Sequence, residues 1–310
     1  MKLIKPSFEI IEPTGYTINN IYKSIELAGK VSHKSENTIT EDSAKKFVDR
    51  MIKLGHGATL EFGTVYLAIP CEFNGNQYNE SWKESKYNSS PYFRVKREYV
   101  ESERNYVDFI TTNIRVLVEN NWLDDLKYIC EPTEYHEKRI CVKFICDRGI
   151  LAEFTRHRKF SFMAESTRYC NYSKGKFNNE LTFIIPPFAD AVEGSYISGY
   201  DVLSDDLKKP YGKGTLGGYF YESLRKAEES YMELVTHQGI DPNIKVRLKP
   251  EQARNILPLA LKTELYMCGF VEDWEHFFEL RDDKQHAHPQ AYELAHPLHE
   301  EFIKRKYITN

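Results

Sequence analysis

Residues 138–146 (Lys-Arg-Ile-Cys-Val-Lys-Phe-Ile-Cys) alternate so that Ile140, Val142 and Phe144 share one face, the period of a half-buried β-strand. This strand passes through Asp147-Arg148-Gly149, read as a turn, into a helix expected to begin near Ile150. An apolar strand face must be covered, so the chain is constrained to a layered fold in which sheet and helices share a core. Further strands are expected at 7–12, 63–70, 106–112 and 181–185, with Pro70 and Pro186-Pro187 ending two of them. Helices are expected at 19–30, 113–121, 219–237, 250–259, 261–280 and 288–304. Another starts at Thr38, which with Glu41 has capping-box spacing; Ala44, Phe47, Val48 and Met51 give it one buried face, and Gly55 stops it just before His56. The polar stretch from Cys71 to Arg104 reads as an elaborated loop or helical insertion. Strands and helices mix without βαβ alternation, so the fold class is α+β, a mixed or antiparallel sheet packed with helices, and not a doubly wound sheet.

Composition narrows the function classes. Hydrophobic residues at 41% and charged ones at 28% exclude disorder and collagen-like repeats. A net charge of −4 lacks the global footprint of a nucleic-acid binder. No apolar run reaches membrane-spanning length, and charge and Pro6 interrupt the start too early for a signal peptide. Six cysteines without CxxC spacing suit reduced thiols in a cytoplasmic protein.

Several motif-like features lack their required context. Gly212, Gly214 and Gly217 satisfy G-x-G-x-x-G, but a polar segment ending in Pro210 precedes them where a buried strand is needed, so they read as a loop. His276, His286, His288, His296 and His299 follow no zinc-ligand spacing, so no metal is expected. There is no G-x-S-x-G serine-hydrolase motif.

Residues 153–172 carry more information. Arg156, His157, Arg158 and Lys159 form a cationic cluster, with Arg168 following and Ser161, Ser166 and Thr167 interleaved as hydroxyl donors. Guanidinium forks and hydroxyls suit phosphate or carboxylate, and Phe160, Phe162 and Tyr169 could wall a planar ring. On chemistry alone, a solvated basic face paired with Glu153 and an RNA-binding patch remain open beside the anion site.

Arg156-His157-Arg158, seven residues, then Ser166 is the R-H-R-x7-S signature of flavin-dependent thymidylate synthases, and Ser161, Arg168 and Tyr169 extend it. Leu54-Gly55-His56 with Leu60-Glu61 resembles that family's early histidine motif, Ala253-Arg254-x-x-Leu257-Pro258 its A-R-x-x-L-P segment, and Leu280-Arg281 with His286 its late arginine motif. The resemblance runs from roughly residue 20 to 305 and is closest to the longer variant of the family. It implies one domain over 1–310 with an insertion at roughly 71–139.

The resemblance implies conversion of dUMP to dTMP, with methylenetetrahydrofolate as carbon donor, FAD as hydride carrier and NADPH as reductant, in a homotetramer whose sites are shared between subunits. Arg156, His157 and Arg158 would bind FAD, with His56 against the flavin. Glu153, Ser166 and Arg168 would hold dUMP, and Arg254 would reach it from a neighbouring subunit. Arg281 would contact the uracil edge and act as the catalytic residue. Ser166 suits hydrogen bonding, since no adjacent base would activate it as a nucleophile. The chain departs from the family at Met163-Ala164, where a polar pair is common, and around Phe270-Val271-Glu272. Arg94, Lys96 and Arg97 of the insertion could supply substitute contacts, or form a solvated surface. A nucleotide-binding homologue without turnover, and an RNA-binding protein, are the alternative readings.

Overall fold

The structure, a computed structural model, describes residues 1–71, 86–87, 90–189, 191–195, 216–236 and 247–309. In chain order its elements are β1 (Lys2–Ile4), β2 (Ser7–Ile11), α1 (Ile18–Lys30), α2 (Ser43–Lys53), α3 (Gly57–Leu60), β3 (Thr64–Pro70), β4 (Arg94–Val100), β5 (Asn105–Asn113) and α4 (Ile114–Glu119). There follow β6 (Arg139–Asp147), α5 (Arg148–Phe154), β7 (Ser161–Ala164), β8 (Thr182–Ile184), β9 (Gly194–Ser195), α6 (Leu216–Thr236), α7 (Pro250–Ala253), β10 (Lys262–Phe270), α8 (Val271–Arg281) and α9 (Pro289–Lys304). The α+β class is borne out. An antiparallel sheet in the order β2-β6-β10-β7 is joined by an antiparallel sheet β3-β5-β4 and a mixed sheet β8-β1-β9. Among the described residues no helix is long and apolar enough to cross a membrane.

The alternation read in β6 sets the main core. Ile140, Val142 and Phe144 face Leu265 and Met267 of β10, and this surface is covered by Trp274, Phe277 and Phe278 of α8 and Leu294, Leu298 and Phe302 of α9. Trp274 is fully buried, and its indole N–H donates to the Ile140 carbonyl at 3.1 Å, so the aromatic brings no orphaned donor into the core. The opposite sheet face, with Cys141, Tyr266 and Cys268, packs on Ala28 and Val31 and on Phe62.

Five expectations are corrected. The helix read over 261–280 is a strand followed by a helix: β10 pairs with β6 along its whole length and with β7 on its other side. Thr263 to Phe270 are all buried, so the apolar run does not alternate and the period that marks a half-buried strand is missing. Within the stretch read as loop or helical insertion, Arg94–Val100 is β4, an edge strand whose charged side chains are those that keep an edge from pairing further; residues 72–85 and 88–89 lie outside the described residues.

The Thr38–Glu41 capping box does not form. Thr38 closes a short 3₁₀ turn, Glu41 pairs with Lys23 at 2.6 Å, and α2 begins at Ser43, whose hydroxyl accepts from the Thr40 N–H at 2.9 Å and donates to Glu26. Its buried face of Ala44, Val48 and Met51 and its stop at Gly55, with φ +68°, stand as read. The helix expected over 250–259 ends at Ala253 and continues as a 3₁₀ turn at Arg254–Ile256, because Leu257 must be extended before Pro258. The supposed turn at 147–149 is the start of α5, capped by the Asp147 carboxylate, which accepts from the Ile150 N–H at 2.8 Å. The Tyr219 helix is α6; Gly212, Gly214 and His237 lie outside the described residues.

Candidate active site

The Asp147 cap starts α5 directly at the end of β6 and places Glu153 in its last turn. Two tight turns then carry Arg156-His157-Arg158, with the His157 N–H donating to the Phe154 carbonyl at 3.1 Å and the Phe160 N–H to the His157 carbonyl at 3.1 Å. Phe160 lies flat against Gly269, where a Cβ would meet its ring at 2.5 Å, so only glycine lets the motif lie this close to β10. From the other direction, the last turn of α8 delivers Arg281.

The Arg281 guanidinium donates from Nη1 to Glu153 Oε2 at 2.8 Å, from Nη2 to the Glu153 carbonyl at 3.3 Å, and from Nε to His157 Nε2 at 3.1 Å. Accepting at Nε2 requires a neutral imidazole with its proton on Nδ1. Burial against Phe160 and Phe277, then the charge of Arg281, then His276 push the His157 pKa down to about 4. The histidine is thus a neutral strut between the core and the guanidinium. Arg156 and Arg158 on either side are exposed and, among the described residues, have no ion pair or side-chain hydrogen bond.

The rest of the motif lies beyond β7, about 13 Å of strand at roughly 3.3 Å per residue. The Ser166 N–H is anchored to the Ser32 carbonyl at 3.1 Å, and its hydroxyl accepts from the Arg168 N–H at 3.2 Å. Arg254 donates to the Thr167 hydroxyl of its own chain at 3.4 Å. The Arg168 guanidinium lies 5.4 Å from the Tyr169 ring centre, and that ring stacks on His33 at 4.3 Å. Arg168 and Arg254 are exposed, with no carboxylate partner among the described residues. The predicted residues are therefore brought together in two groups: Glu153, Arg156, His157, Arg158 and Arg281 at one end of β7, and Ser166, Arg168 and Arg254 at the other.

Beneath the second group lies a buried polar network that the sequence reading missed. Glu165 accepts from Lys262 at 2.9 Å and from the Tyr172 hydroxyl at 2.9 Å, while Arg148 donates to its backbone carbonyl at 2.8 Å. Glu264 accepts from Lys262 at 2.6 Å and from Lys34, and its other oxygen forms an ion pair with Lys143 at 2.8 Å. Burial alone would raise the Glu264 pKa, but Lys262 and the other two lysines outweigh it and hold the carboxyl well below the usual carboxylate range. Lys262 and Glu264 stand two apart on one strand face, the only signal of the network in the sequence.

His56 is exposed at the start of α3, which lies against β7. Arg139, also missed, ties this segment to the motif: it donates to the Glu61 carbonyl at 3.0 Å, to the Thr64 hydroxyl at 3.1 Å and to the Ser161 hydroxyl at 3.2 Å. Met163 and Ala164 are β7 residues paired with Tyr266 and Leu265. Arg94 stacks on Phe270 at 4.4 Å and pairs with Glu137 and Glu272, Arg97 grips Asp108 through two bonds, and Lys96 meets Glu98 at 3.0 Å, so all three insertion cations already have carboxylates. The late histidines have protein partners as well: His296 and His299 share the carboxylate of Asp282, His286 bonds Asp283, His276 bonds Glu279, and His288 caps α9. Among the described residues no cluster could hold a metal ion.

The chain is 28% identical over 157 residues to the probable flavin-dependent thymidylate synthase of Paramecium bursaria Chlorella virus 1, covering 51% of this chain and 62% of that protein. It is 29% identical over 161 residues to the flavin-dependent thymidylate synthase of Synechocystis sp., with the same two shares. The chain thus spans less than two thirds of the length of these relatives. Among solved structures it is similar to the UMP/dUMP methylase PolB from Streptomyces cacaoi: bound with 5-Br dUMP, TM-score 0.39, 15% identity, 98% of this chain and 93% of that one; bound with 5-Br UMP, TM-score 0.41, 15% identity, 98% and 92%. The sequence profile of one family, described as thymidylate synthase complementing protein, matches residues 132–305. That match takes in more than half of the chain and both groups of motif residues, leaving out only His56 among the predicted ones, so this chain belongs to the thymidylate synthase complementing protein family.

Proposed function

We propose that this chain converts dUMP to dTMP, taking the carbon from methylenetetrahydrofolate and reducing equivalents from NADPH through FAD. The observation that carries the reading is the contrast among the motif arginines. Arg281 is fixed by Glu153 and His157, whereas Arg156, Arg158, Arg168 and Arg254 are exposed and have no carboxylate partner among the described residues. Four uncompensated guanidiniums suit anionic ligands that bring their own charge, such as a nucleotide phosphate and a dinucleotide pyrophosphate.

The donor set around the R-H-R turn fits FAD: Arg156 and Arg158 would hold it, with His157 and His56 beside them. Bound there, FAD supplies the hydride chemistry that no side chain can. The protein's own part is position and field. Of the five N–H groups of a guanidinium, Arg281 uses three (Nε, one on Nη1, one on Nη2), leaving two to meet the uracil edge. A charge fixed in this way favours the electron-rich pyrimidine whose C5 attacks the carbon donor, with no reorganisation at that step. Neutral His157 holds Arg281 without adding a competing charge. Ser166, Arg168 and Arg254 would grip the nucleotide. On the same reading residues 1–310 form one domain with an insertion at 71–139, the chains assemble as a cytoplasmic homotetramer, and Arg254 serves a neighbouring subunit.

The test is dTMP formation, followed by mass detection, from dUMP, methylenetetrahydrofolate, FAD and NADPH, omitting each in turn. Product that needs all four is expected. Folded protein that binds dUMP but yields neither dTMP nor dUMP-dependent NADPH oxidation would replace the enzyme with a nucleotide-binding homologue.

A further inference from the structure

Two cysteines that the proposed reaction does not use face each other across the central sheet. Cys141 of β6 and Cys268 of β10 are directly opposed partners in an antiparallel ladder. Such partners have Cα atoms about 4.5 or 5.5 Å apart, within the roughly 4.4–6.8 Å that a disulfide spans. Both thiols are free and both project to the sheet face away from the aromatic core. They border a cavity of about 50 Å³ together with Ile11, Tyr16, Thr64 and Arg139. Cys141 is half-buried and Cys268 is 2% exposed, so the cavity that both border is the route by which a reagent would reach the pair.

We propose that Cys141 and Cys268 form a redox-active dithiol that exchanges with small-molecule disulfides and closes a cross-strand disulfide between β6 and β10. The surroundings sort the two sulfurs. The hydrogen bond from the Cys141 thiol lowers the Cys268 pKa; burial opposes this, and the Arg139 guanidinium and Thr64 assist it. The same hydrogen bond, together with burial, raises the Cys141 pKa. A thiolate beside a guanidinium and a protonated partner is the environment that makes paired thiols reactive. The other four cysteines lack it: burial raises the Cys71, Cys130, Cys146 and Cys170 thiols, and none of these lies opposite another cysteine in a ladder.

The exchange balances in two steps. Cys268 Sγ, as the thiolate, attacks one sulfur of RS–SR; the Cys268–SR bond forms, the S–S bond of the reagent breaks, and RS⁻ leaves. The Cys141 thiol then loses its proton to that thiolate and attacks Cys268 Sγ, expelling the second RS⁻, which takes a proton from water. Two protein thiols are oxidised by two electrons and one RS–SR is reduced to two thiols. The disulfide closes in the ladder row Ile11, Cys141, Cys268 and Ser161, the last a residue of the R-H-R-x7-S motif.

The test exposes the native full chain to oxidised glutathione, then denatures and alkylates it for mass analysis. Alkylatable thiols should fall from six to four, with one reducible link joining the peptides that contain Cys141 and Cys268. Cys141→Ser should instead accumulate a glutathione adduct on Cys268. Six persisting thiols, a link between other cysteines, or an unreacted Cys268 in Cys141→Ser would overturn the proposal. Should that variant not fold, phenylarsine oxide on the native wild-type chain decides. This arsenical needs two adjacent thiols, so loss of alkylation at Cys141 and Cys268 together supports the dithiol and retention of both contradicts it.

Discussion

The two ends of β7 treat the same side chain in opposite ways. At the Arg281 end, a guanidinium is gripped by a carboxylate, a backbone carbonyl and a neutral imidazole before any ligand arrives. At the Ser166 end, Arg168 and Arg254 stand exposed with, among the described residues, only an aromatic face and a threonine hydroxyl beside them, while the charges that are paired lie buried below. A charge already compensated is suited to holding a geometry; one left uncompensated is suited to capturing an anion. The proposed roles follow from this division: Arg281 acts on turnover, Arg168 and Arg254 on nucleotide affinity.

The sharpest way to strain the comparison is to break the buried pairs under the Ser166 end. Glu264→Ala leaves Lys262, Lys143 and Lys34 without their shared carboxylate. Chemical denaturation should show a loss of about 3–5 kcal/mol, the range for breaking a buried ion pair, whereas Arg168→Ala should stay within about 0.5 kcal/mol of wild type. Arg281→Ala comes next. It should reduce kcat by roughly 10²–10³, the range for removing one transition-state donor, with an unchanged circular dichroism spectrum.

Arg254→Ala and Arg168→Ala should each weaken dUMP binding by about ten- to a hundredfold, equivalent to the roughly 1.5–3 kcal/mol of a charge-assisted hydrogen bond. Calorimetry at two salt concentrations would detect this, since each lost cation also flattens the salt dependence. The smallest effect concerns His157. Its folded pKa is about 4 against an ordinary 6.5, so between those values the unfolded chain binds more protons, and stability falls as pH drops through that window. His157→Asn should flatten the slope of denaturation midpoint against pH between 6.5 and 4; an unaltered slope would show that His157 is not held neutral.

How much of this was legible depended on sequence distance. The R-H-R turn, the Asp147 boundary and the buried face of α2 rest on neighbours in the chain, and local spacing exposed them even where the exact cap was misread. The strand β10 was hidden because sheets and helices cover both its faces, which removes the alternation that marks β6. The Glu153–Arg281 pair joins residues 128 apart, and Arg139 meets Ser161 only because of the strand register. No spacing rule could have matched those partners without the β6-β10-β7 order.

The division of roles is tested most directly by steady-state dTMP formation as a function of dUMP concentration, with wild type, Arg281→Ala and Arg254→Ala assayed in parallel. The account predicts that Arg281→Ala lowers kcat and leaves KM for dUMP within a few-fold, while Arg254→Ala raises KM and leaves kcat nearly intact. If both variants change the same parameter to the same extent, the two ends of β7 do not divide the work and the account is wrong.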